Sequence, residues 1–329
     1  MDQLTLNSRD IAPWEQPDVS VIMPVYNTEE YVAEALRSVI GQTHRNIEII
    51  VIDDGSTDGS RQVVRDTIRG DRRARCITQQ NQGQAEARNV GMRQARGRYV
   101  YFMDSDDVLV PDALECCVRQ CDAGELDFLL FDASNFGQAG TLGDWADYTR
   151  ARYFAERPYT GIEALELLLG LGKYRVPTWL NLIRMDFLSR CSLSFLSSIR
   201  HEDELFTDLM YLHAARVEAL DRVLLMRRIR PGSVMTTRFS AADLRSYLTI
   251  ADQLRLFAMR HAHCRVQVRA LLRRMLNPVV RHAADLPGCD RRRLLPVVML
   301  HYAALVSPRN IAVLIFKAPL SKLRRHGIG

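Results

Sequence analysis

The chain has 329 residues, of which 47% are hydrophobic and 25% charged, and its formal net charge is +5. These values are those of an ordinary soluble globular protein, long enough for one large α/β domain with an appendage. The seven cysteines are scattered and form no C-x-x-C pair, so neither a zinc site nor a disulfide framework is indicated, and a reducing cytoplasm is the simpler setting. The N-terminal residues 1–14 carry no apolar signal-peptide core, and no run reaches the ~18 apolar residues of a membrane span.

Charge is distributed unevenly along the chain. Residues 260–329 contain 14 lysines and arginines against two acidic residues, so residues 1–259 are net acidic. Such a basic segment is expected to face anions. Its arginines alternate with apolar runs such as 311–316, which favours peripheral contact with a membrane surface and argues against nucleic acid as the partner. A helical subdomain with solvated arginines is nearly as good an explanation.

The first hundred residues predict strands that alternate with helices. Four runs have the length and composition of strands, namely Val19 to Val25, Ile47 to Ile52, Arg75 to Thr78 and Tyr99 to Met103. Helical patterns separate them, from Tyr31 to Val39, from Thr57 onward and from Gln84 to Ala95. This order predicts an α/β fold with a mostly parallel central sheet. In such sheets ligands bind beyond the carboxyl ends of the strands.

Three acids follow the fourth predicted strand directly, at Asp104, Asp106 and Asp107. Carboxylates crowded at the end of a buried strand repel one another and are costly to desolvate unless a cation neutralises them. Hard oxygen ligands suit Mg²⁺ or Mn²⁺, which keep positions open for phosphate oxygens. The acids therefore predict a metal–diphosphate site. A plain helix start, with Asp107 as its cap before Pro111, is the alternative.

Polar side chains also follow the first two strands, at Tyr26-Asn27 and at Asp53-Asp54. Tyr26 can stack on a planar base, and a carboxylate such as Asp54 can accept a base N–H, which together suit a uracil-type edge. No G-x-G-x-x-G follows the first strand, where Pro24 stands, and no P-loop is present. The sequence thus argues against an NAD enzyme or a P-loop ATPase.

Five ordered motifs resemble the inverting family 2 glycosyltransferases of the GT-A fold, of the bacterial cell-surface polysaccharide type. They are VSVIMPVYN (19–27), SVIGQT (38–43), EIIVIDDGSTDGS (48–60), NQGQAEARNVG (81–91) and GRYVYFMDSDD (97–107). The resemblance covers roughly residues 18–131, and the later segments TWLNLIR (178–184) and RHEDELF (200–206) extend it. Many members of this family carry a lysine where Asn181 stands here, so no role is assigned to that position.

The resemblance implies a nucleoside pocket at the ends of the first two strands. Pro24, Tyr26 and Asp54 would form it, and Asn27 and Asp53 would line or shape it.

The resemblance also implies how the donor diphosphate is held. Asp104 and Asp106 would bind the metal, Asp106 by direct coordination. Asp107 would bind the donor sugar or cap the following helix. Arg88 would reach the diphosphate or order the metal loop, with a purely structural role as the alternative.

An inverting transfer requires a carboxylate that accepts the proton of the acceptor hydroxyl. Glu202 and Asp203 are adjacent in a segment that otherwise reads as an apolar helix start. Alone, this pair would be explained by the helix dipole. Beside the motifs above, Asp203 becomes the expected base and Glu202 a supporting or acceptor contact, with His201 as a weaker rival.

The remaining segments predict the domain organisation. We expect an N-terminal extension (1–17), a catalytic domain (18–236) with a nucleotide-sugar half (18–131) and an acceptor half (132–236), and a C-terminal helical, basic region (237–329). Residues 132–158 predict a variable loop region. Trp145 and Trp179 are candidates to stack on a sugar, with Trp179 equally explained as core, and the Gly-Ser turn after Arg230 is a candidate mobile loop.

Together these features predict a cytoplasmic, metal-dependent, inverting glycosyltransferase that uses Mn²⁺ or Mg²⁺. Its donor would be a nucleotide-sugar, most simply a UDP-sugar, and its acceptor a glycan or lipid-linked glycan, with peripheral membrane contact through the basic C-terminal region. A sugar-nucleotide pyrophosphorylase would need a glycine-rich basic loop that residues 27–30 lack. A catalytically silent nucleotide-sugar-binding or scaffold protein is the alternative. Apolar helices after residue 241 leave room for an oligomer.

Overall fold

The computed structural model describes residues 17–137, 146–230 and 239–316. Eight strands of these ranges form a single sheet. They are β1 (Val19–Val25), β2 (Ile47–Asp53), β3 (Ala74–Thr78), β4 (Tyr99–Phe102), β5 (Val108–Leu109), β6 (Phe128–Gly137), β7 (Asn181–Arg184) and β8 (Val217–Ile229). The four strands predicted in the first hundred residues are confirmed to within one residue at each end.

The strand order is β3-β2-β1-β4-β7-β6-β8-β5. Strands β1 to β4 pair in parallel, and so do β6 and β8. Strand β7 is antiparallel to both β4 and β6, and β5 is antiparallel to β8. Within the described residues, six of the eight strands therefore run in one direction, which confirms the predicted mostly parallel sheet.

Helices cover both faces of the sheet. In the first two thirds of the chain they are α1 (Val32–Ile40), α2 (Ser60–Thr67), α3 (Gln84–Gln94), α4 (Ala113–Gly124), α5 (Gly161–Gly170), α6 (Met185–Arg190) and α7 (Glu202–His213). Those that follow are α8 (Ala241–Arg260), α9 (Arg265–Ala283), α10 (Gly288–Val297) and α11 (Pro308–Phe316). The expected C-terminal helical region is confirmed. None of the helices in the described ranges has the length and apolar character that crossing a membrane requires.

Alternating residues of the central strands divide the core between the two faces, as the period of a strand requires. One face, represented by Val21 and Tyr101, packs under α1 and α4. The other, represented by Ile22 and Phe102, packs under α5 and α7. Residues of α8 to α11 belong to this second cluster, for example Leu271, so the C-terminal helices and the sheet share one apolar core.

The predicted loop region 132–158 is partly wrong, because β6 continues through Gly137 and pairs with β8 along its whole length. Asp132 is 3% exposed and accepts the backbone N–H groups of Arg150 and Ala151. The sequence pattern placed this carboxylate in a loop. In the structure it lies on β6 and connects that strand to the segment at residues 150–151.

The two tryptophans proposed for sugar stacking have different outcomes. Trp179 is 3% exposed and packs edge-to-face against Tyr148, with ring centroids 5.0 Å apart. It is therefore a core residue. Trp145 and the turn at 231–233 lie outside the described residues.

Candidate functional site: strand ends joined by a buried arginine

The first strand ends in a turn that Asn27 makes possible. Its φ of 52° is left-handed, a conformation that asparagine tolerates better than most residues. Its side-chain oxygen accepts the backbone N–H of Thr57 at 2.8 Å, which joins the ends of β1 and β2. Pro24 lies buried in β1, two residues past Ile22, the last residue paired with β4. Because proline has no N–H to donate, this is a suitable place for the pairing to stop.

Asp53 and Asp54 at the end of β2 are both buried and both hydrogen-bonded. Asp53 accepts the Nε–H of Arg61 at 2.6 Å and the backbone N–H of Ser56 at 3.1 Å. Asp53 thus orders the turn that follows β2.

Asp54 fixes the loop that leads into α3. Its carboxylate accepts the Gln79 side-chain amide at 2.7 Å and the backbone N–H groups of Gln82 and Gly83 at 2.9 and 2.8 Å. Tyr26 is 48% exposed beside this strand end. An exposed aromatic ring next to a fixed carboxylate is an arrangement that can take a planar base.

The acids after β4 point to different partners. Asp107 is 2% exposed and accepts the backbone N–H of Arg228 on β8 at 2.8 Å. Burial, together with repulsion from Asp104 and Asp106, raises the pKa of Asp107 well above its ordinary value. Its described contact is with the sheet, so the geometry favours a structural role over the sugar contact or helix cap expected from the sequence.

Arg88 joins three carboxylates from two distant parts of the chain. The side chain is 1% exposed. Its Nη2 donates to Asp104 at 3.0 Å, and its Nη1 donates to Glu202 at 3.0 Å and to Asp203 at 2.5 Å. The guanidinium also lies over the Phe195 ring, 5.2 Å from its centroid. The predicted metal ligand and the predicted base are therefore fixed to one cation.

Burial and neighbouring charges shift the pKa values of the residues in this cluster in opposite directions. Burial alone would lower the pKa of Arg88, but Asp203, Asp104 and Glu202 raise it above its ordinary value, so the arginine stays charged. Burial raises the pKa of both Asp104 and Asp203 to about 6, and Arg88 opposes that rise. Their side chains remain 29% and 22% exposed, so solvent and a ligand can reach them.

Asp203 is oriented from two sides. Besides Arg88, the backbone N–H of Thr178 donates to its carboxylate. Glu202 and Asp203 form the first turn of α7, which agrees with the predicted helix start. His201, the rival base, has a φ of 60° and bonds Asp243 on α8 at 3.0 Å. Its ring therefore faces the C-terminal helices.

Arg230 was not assigned a role from the sequence, yet its Nε donates to Asp106 at 2.6 Å. The neighbouring Arg228 donates through its Nε to the backbone oxygen of Asp106 at 2.9 Å. Both arginines lie at the end of β8. The basic run 227–230 was a visible signal, since it stands opposite the acidic loop, but its partner is more than 120 positions away.

Asn181 is fully buried in β7, where its amide approaches the backbone oxygens of Pro177 and Thr178 at 3.5 and 3.4 Å. Within the described part of the chain its side-chain oxygen has no hydrogen-bond partner.

The carboxylate oxygens that follow β4 are ligands that suit a hard divalent cation. In the described ranges no group of three or more His, Cys, Asp or Glu side chains is placed to hold a metal ion. Mg²⁺ and similar ions are commonly held by one or two carboxylates together with substrate phosphates. Asp104 and Asp106 fit that requirement, with Arg88 and Arg230 as their present partners.

The sequence is similar to a family model and to curated relatives. Residues 20–170 match the model of Glycosyl transferase family 2. The chain is 29% identical over 238 residues to the glycosyltransferase GlyG of Streptococcus pneumoniae serotype 4, covering 70% of this chain and 77% of that one. It is 33% identical over 225 residues to the putative glycosyltransferase EpsH of Bacillus subtilis, covering 67% of this chain and 63% of that one. This chain thus spans less than two thirds of EpsH.

The fold is similar to those of solved glycosyltransferases. Staphylococcus aureus TarS 1–349 in complex with UDP-GlcNAc superposes with a TM-score of 0.67 at 22% identity, covering 93% of this chain and 85% of that one. The mannosyltransferase PcManGT from Pyrobaculum calidifontis, in complex with GDP-Man and Mn²⁺, gives a TM-score of 0.54 at 19% identity, covering 93% and 88%. Residues 20–170 therefore form a glycosyltransferase family 2 domain, and the structure has the GT-A fold.

Proposed function

We propose that the protein is a metal-dependent, inverting glycosyltransferase that transfers a sugar from a UDP-sugar to a hydroxyl of a glycan or lipid-linked glycan. We place this reaction in the synthesis of a cell-surface polysaccharide. The observation that carries the proposal is the cluster around Arg88, which brings the Asp104 carboxylate and the Asp203 carboxylate to one cation.

The donor would lie along the carboxyl edge of the sheet. Tyr26 would stack on the base, and Asp54, already fixed by the loop at residues 79–83, would accept a base N–H. The diphosphate would lie towards Asp104 and Asp106. A divalent metal at these two acids would neutralise the charge that develops on the departing nucleoside diphosphate.

Asp203 would act as the general base. Its carboxylate is partly exposed, and Arg88 and Thr178 N–H hold it in one orientation. It would take the proton of the acceptor hydroxyl as that oxygen attacks the anomeric carbon from the face opposite the leaving group, so the configuration inverts. Glu202 would help to orient Arg88, which donates to it, and would contact the acceptor.

The nucleotide specificity can be tested by thermal unfolding with Mn²⁺ and UDP, GDP, TDP or CDP. A ligand at ~100 times its Kd stabilises the folded state by ~2.7 kcal/mol, which is visible as a shift in Tm. We expect the largest shift with UDP, and its loss with EDTA or in Asp106→Ala. A larger shift with another nucleotide would change the donor class and leave the reaction type intact.

Turnover separates an enzyme from a silent binding protein. UDP release from UDP-GlcNAc and other UDP-sugars is measured with candidate glycan acceptors, for the unmodified chain and for Asp203→Asn. An enzyme loses release in the variant but keeps the UDP-induced shift in Tm. UDP binding without release from any donor, even before substitution, would support the binding-protein alternative.

A further inference from the structure

An open groove of about 250 Å³ lies between α8 and α9, far along the chain from the acidic cluster. Its floor is apolar and buried, with Val268 and Leu272 at 2% and 3% exposure. Met259 on its wall is 66% exposed. The groove thus opens at the surface of a region with a strongly positive net charge, since residues 260–329 contain 14 lysines and arginines against two acidic residues.

The rim of the groove is arginine-rich. Arg255, Arg265 and Arg269 line it, and no acidic side chain is among its lining residues. In the described ranges Arg269 makes no hydrogen bond or ion pair, and Arg265 donates only to the backbone oxygen of Ala258, at 3.4 Å. The Arg255 guanidinium lies 3.8 Å from exposed Asp252. Positive charge on this rim is therefore only partly neutralised by the protein itself.

Two further exposed apolar side chains lie on the same two helices, outside the lining of the groove. Leu256, next to Arg255 on α8, is 41% exposed, and Val266, next to Arg265 on α9, is 72% exposed. A surface that alternates cationic and apolar side chains binds at the interface of an anionic bilayer, where phosphates meet acyl chains.

We propose that this groove and its arginine rim form a docking surface for an anionic phospholipid bilayer. The arginines would bind headgroup phosphates, while Met259, Leu256 and Val266 enter the acyl boundary. A second copy of the chain is a poorer occupant, because a two-fold contact between two such rims would bring like charges together. Nucleic acid is poorer too, since it would leave the exposed apolar side chains without a partner.

The docking surface is separate from the acidic cluster. Helices α7 and α8 run side by side in the same direction, because His201 contacts Asp243 near one end and His213 contacts Phe257 near the other. The first turn of α7 carries Asp203, whereas the groove lies at the far end of α8. Twelve residues of α7 span roughly 18 Å. Bilayer docking can therefore be tested without altering the residues proposed for catalysis.

The test is co-sedimentation of the full chain with two kinds of vesicle: phosphatidylcholine alone, and phosphatidylcholine with about one third phosphatidylglycerol. We expect binding to the anionic vesicles only, weakening as salt is added. The double variant Arg265→Gln/Arg269→Gln should bind them about thirtyfold more weakly, the loss expected for two arginines at an anionic surface. The double variant Met259→Ser/Val266→Ser should also bind more weakly.

Matched control variants replace exposed arginines and an exposed apolar residue away from the groove. Arg72→Gln/Arg119→Gln removes two exposed arginines from the region 18–131, and Leu171→Ser removes an exposed leucine at the end of α5. Both should bind vesicles like the unmodified chain. The proposal is overturned if the unmodified chain ignores anionic vesicles, if it binds neutral vesicles equally, or if rim and control variants lose binding alike. A dimer in light scattering that Met259→Ser/Val266→Ser dissociates, without vesicle binding, would assign the groove to a second copy instead.

Discussion

Arg88 on α3 and Asp203 at the start of α7 stand 115 positions apart in the chain and share a hydrogen bond of 2.5 Å. The same guanidinium holds Asp104 at 3.0 Å. A buried arginine between carboxylates is costly to desolvate, and removing it leaves the acids uncompensated. Arg88 thus positions the groups proposed for metal binding and for proton transfer relative to each other.

Replacing Arg88 should affect both stability and activity. Arg88→Ala leaves Asp104, Glu202 and Asp203 close together without their cation, so we expect the free energy of unfolding to fall by about 3–5 kcal/mol. Urea unfolding measures that loss, and sugar transfer should be strongly reduced with it. Arg93→Ala is the control, since Arg93 lies on the same helix but is 60% exposed and pairs only with Glu86 among the described residues. Equal effects of the two variants would contradict the role given to Arg88.

Replacing Asp203 should affect chemistry and spare binding. Asp203→Asn keeps the shape of the side chain but cannot accept the acceptor proton, so kcat should fall by about 10²–10⁴-fold. The Kd for UDP with Mn²⁺, measured by calorimetry, should change little. Glu202→Gln is the control on the neighbouring position and should retain more activity. A fall in kcat that is larger for Glu202→Gln than for Asp203→Asn would move the base to Glu202.

Activity should depend on pH through the acidic cluster. The pKa values of Asp104 and Asp203 are both raised to about 6 by burial, and the two groups titrate as an interacting set. The proposed base Asp203 works only when ionised, so kcat/KM should fall as the pH drops through about 6. Because Arg88 lowers both pKa values, Arg88→Met should move the acidic limb of the profile to higher pH. If Arg88→Met keeps turnover and the acidic limb of its kcat/KM profile does not move, the acidic cluster is not the cause of that limb.

Arg230 should compete with a metal ion for Asp106, since its Nε lies 2.6 Å from the carboxylate oxygen. Arg230→Gln removes that competing charge, so Mn²⁺ should bind the donor-free protein more tightly, by about tenfold for an interaction of ~1.4 kcal/mol. Calorimetric titration measures the Kd. The control is Arg222→Gln, which removes an arginine within β8 whose partner is Asp112. Weaker Mn²⁺ binding in Arg230→Gln would show that the arginine supports the metal site instead.

Asp208 should make stability depend on pH. It is fully buried, and burial raises its pKa to about 8 although the Tyr174 hydroxyl donates to it at 2.7 Å. The folded state therefore keeps a proton that the unfolded chain releases near pH 4, so a stabilising contribution present below pH 4 is lost as the pH rises towards 8. Asp208→Asn should reduce that decline in unfolding free energy by an amount on the order of a few kcal/mol.

The control for Asp208 is Asp252→Asn. Asp252 also accepts a tyrosine hydroxyl, that of Tyr302 at 2.7 Å, but its side chain is 63% exposed. The decline in unfolding free energy between pH 4 and 8 should therefore be smaller in Asp208→Asn than in this matched variant. If both variants keep the full decline between pH 4 and 8, burial of Asp208 is not its cause.

The strands and helix starts that could be predicted are those that local sequence patterns specify. Continuous apolar runs with polar ends gave β1 to β4, and the helix starts at Gln84 and Glu202 followed from spacing and charge. The order β4-β7-β6-β8-β5 could not be predicted, because it depends on pairing between segments far apart in the chain. The short β7 and the two-residue β5 carry too little pattern of their own.

The site divides in the same way. Acids at strand ends were visible as candidates, since carboxyl ends of parallel strands share one edge. Which cation each acid faces was not visible, because Arg88 and Arg230 reach their partners through tertiary structure. Asp107 illustrates the limit of motif reasoning: it stands beside Asp106 in the motif, and only the structure shows that its carboxylate is buried and accepts a hydrogen bond from β8.

That contact between Asp107 and Arg228 N–H has a consequence for protein engineering. This bond holds the loop that carries Asp104 and Asp106 to β8, 121 positions away in the chain. A chimaera that joins two family members at residue 131 would take the loop from one protein and β8 from the other. Swaps that move residues 104–107 and β8 together keep the fastening, and they are the ones expected to give folded hybrids with an intact donor site.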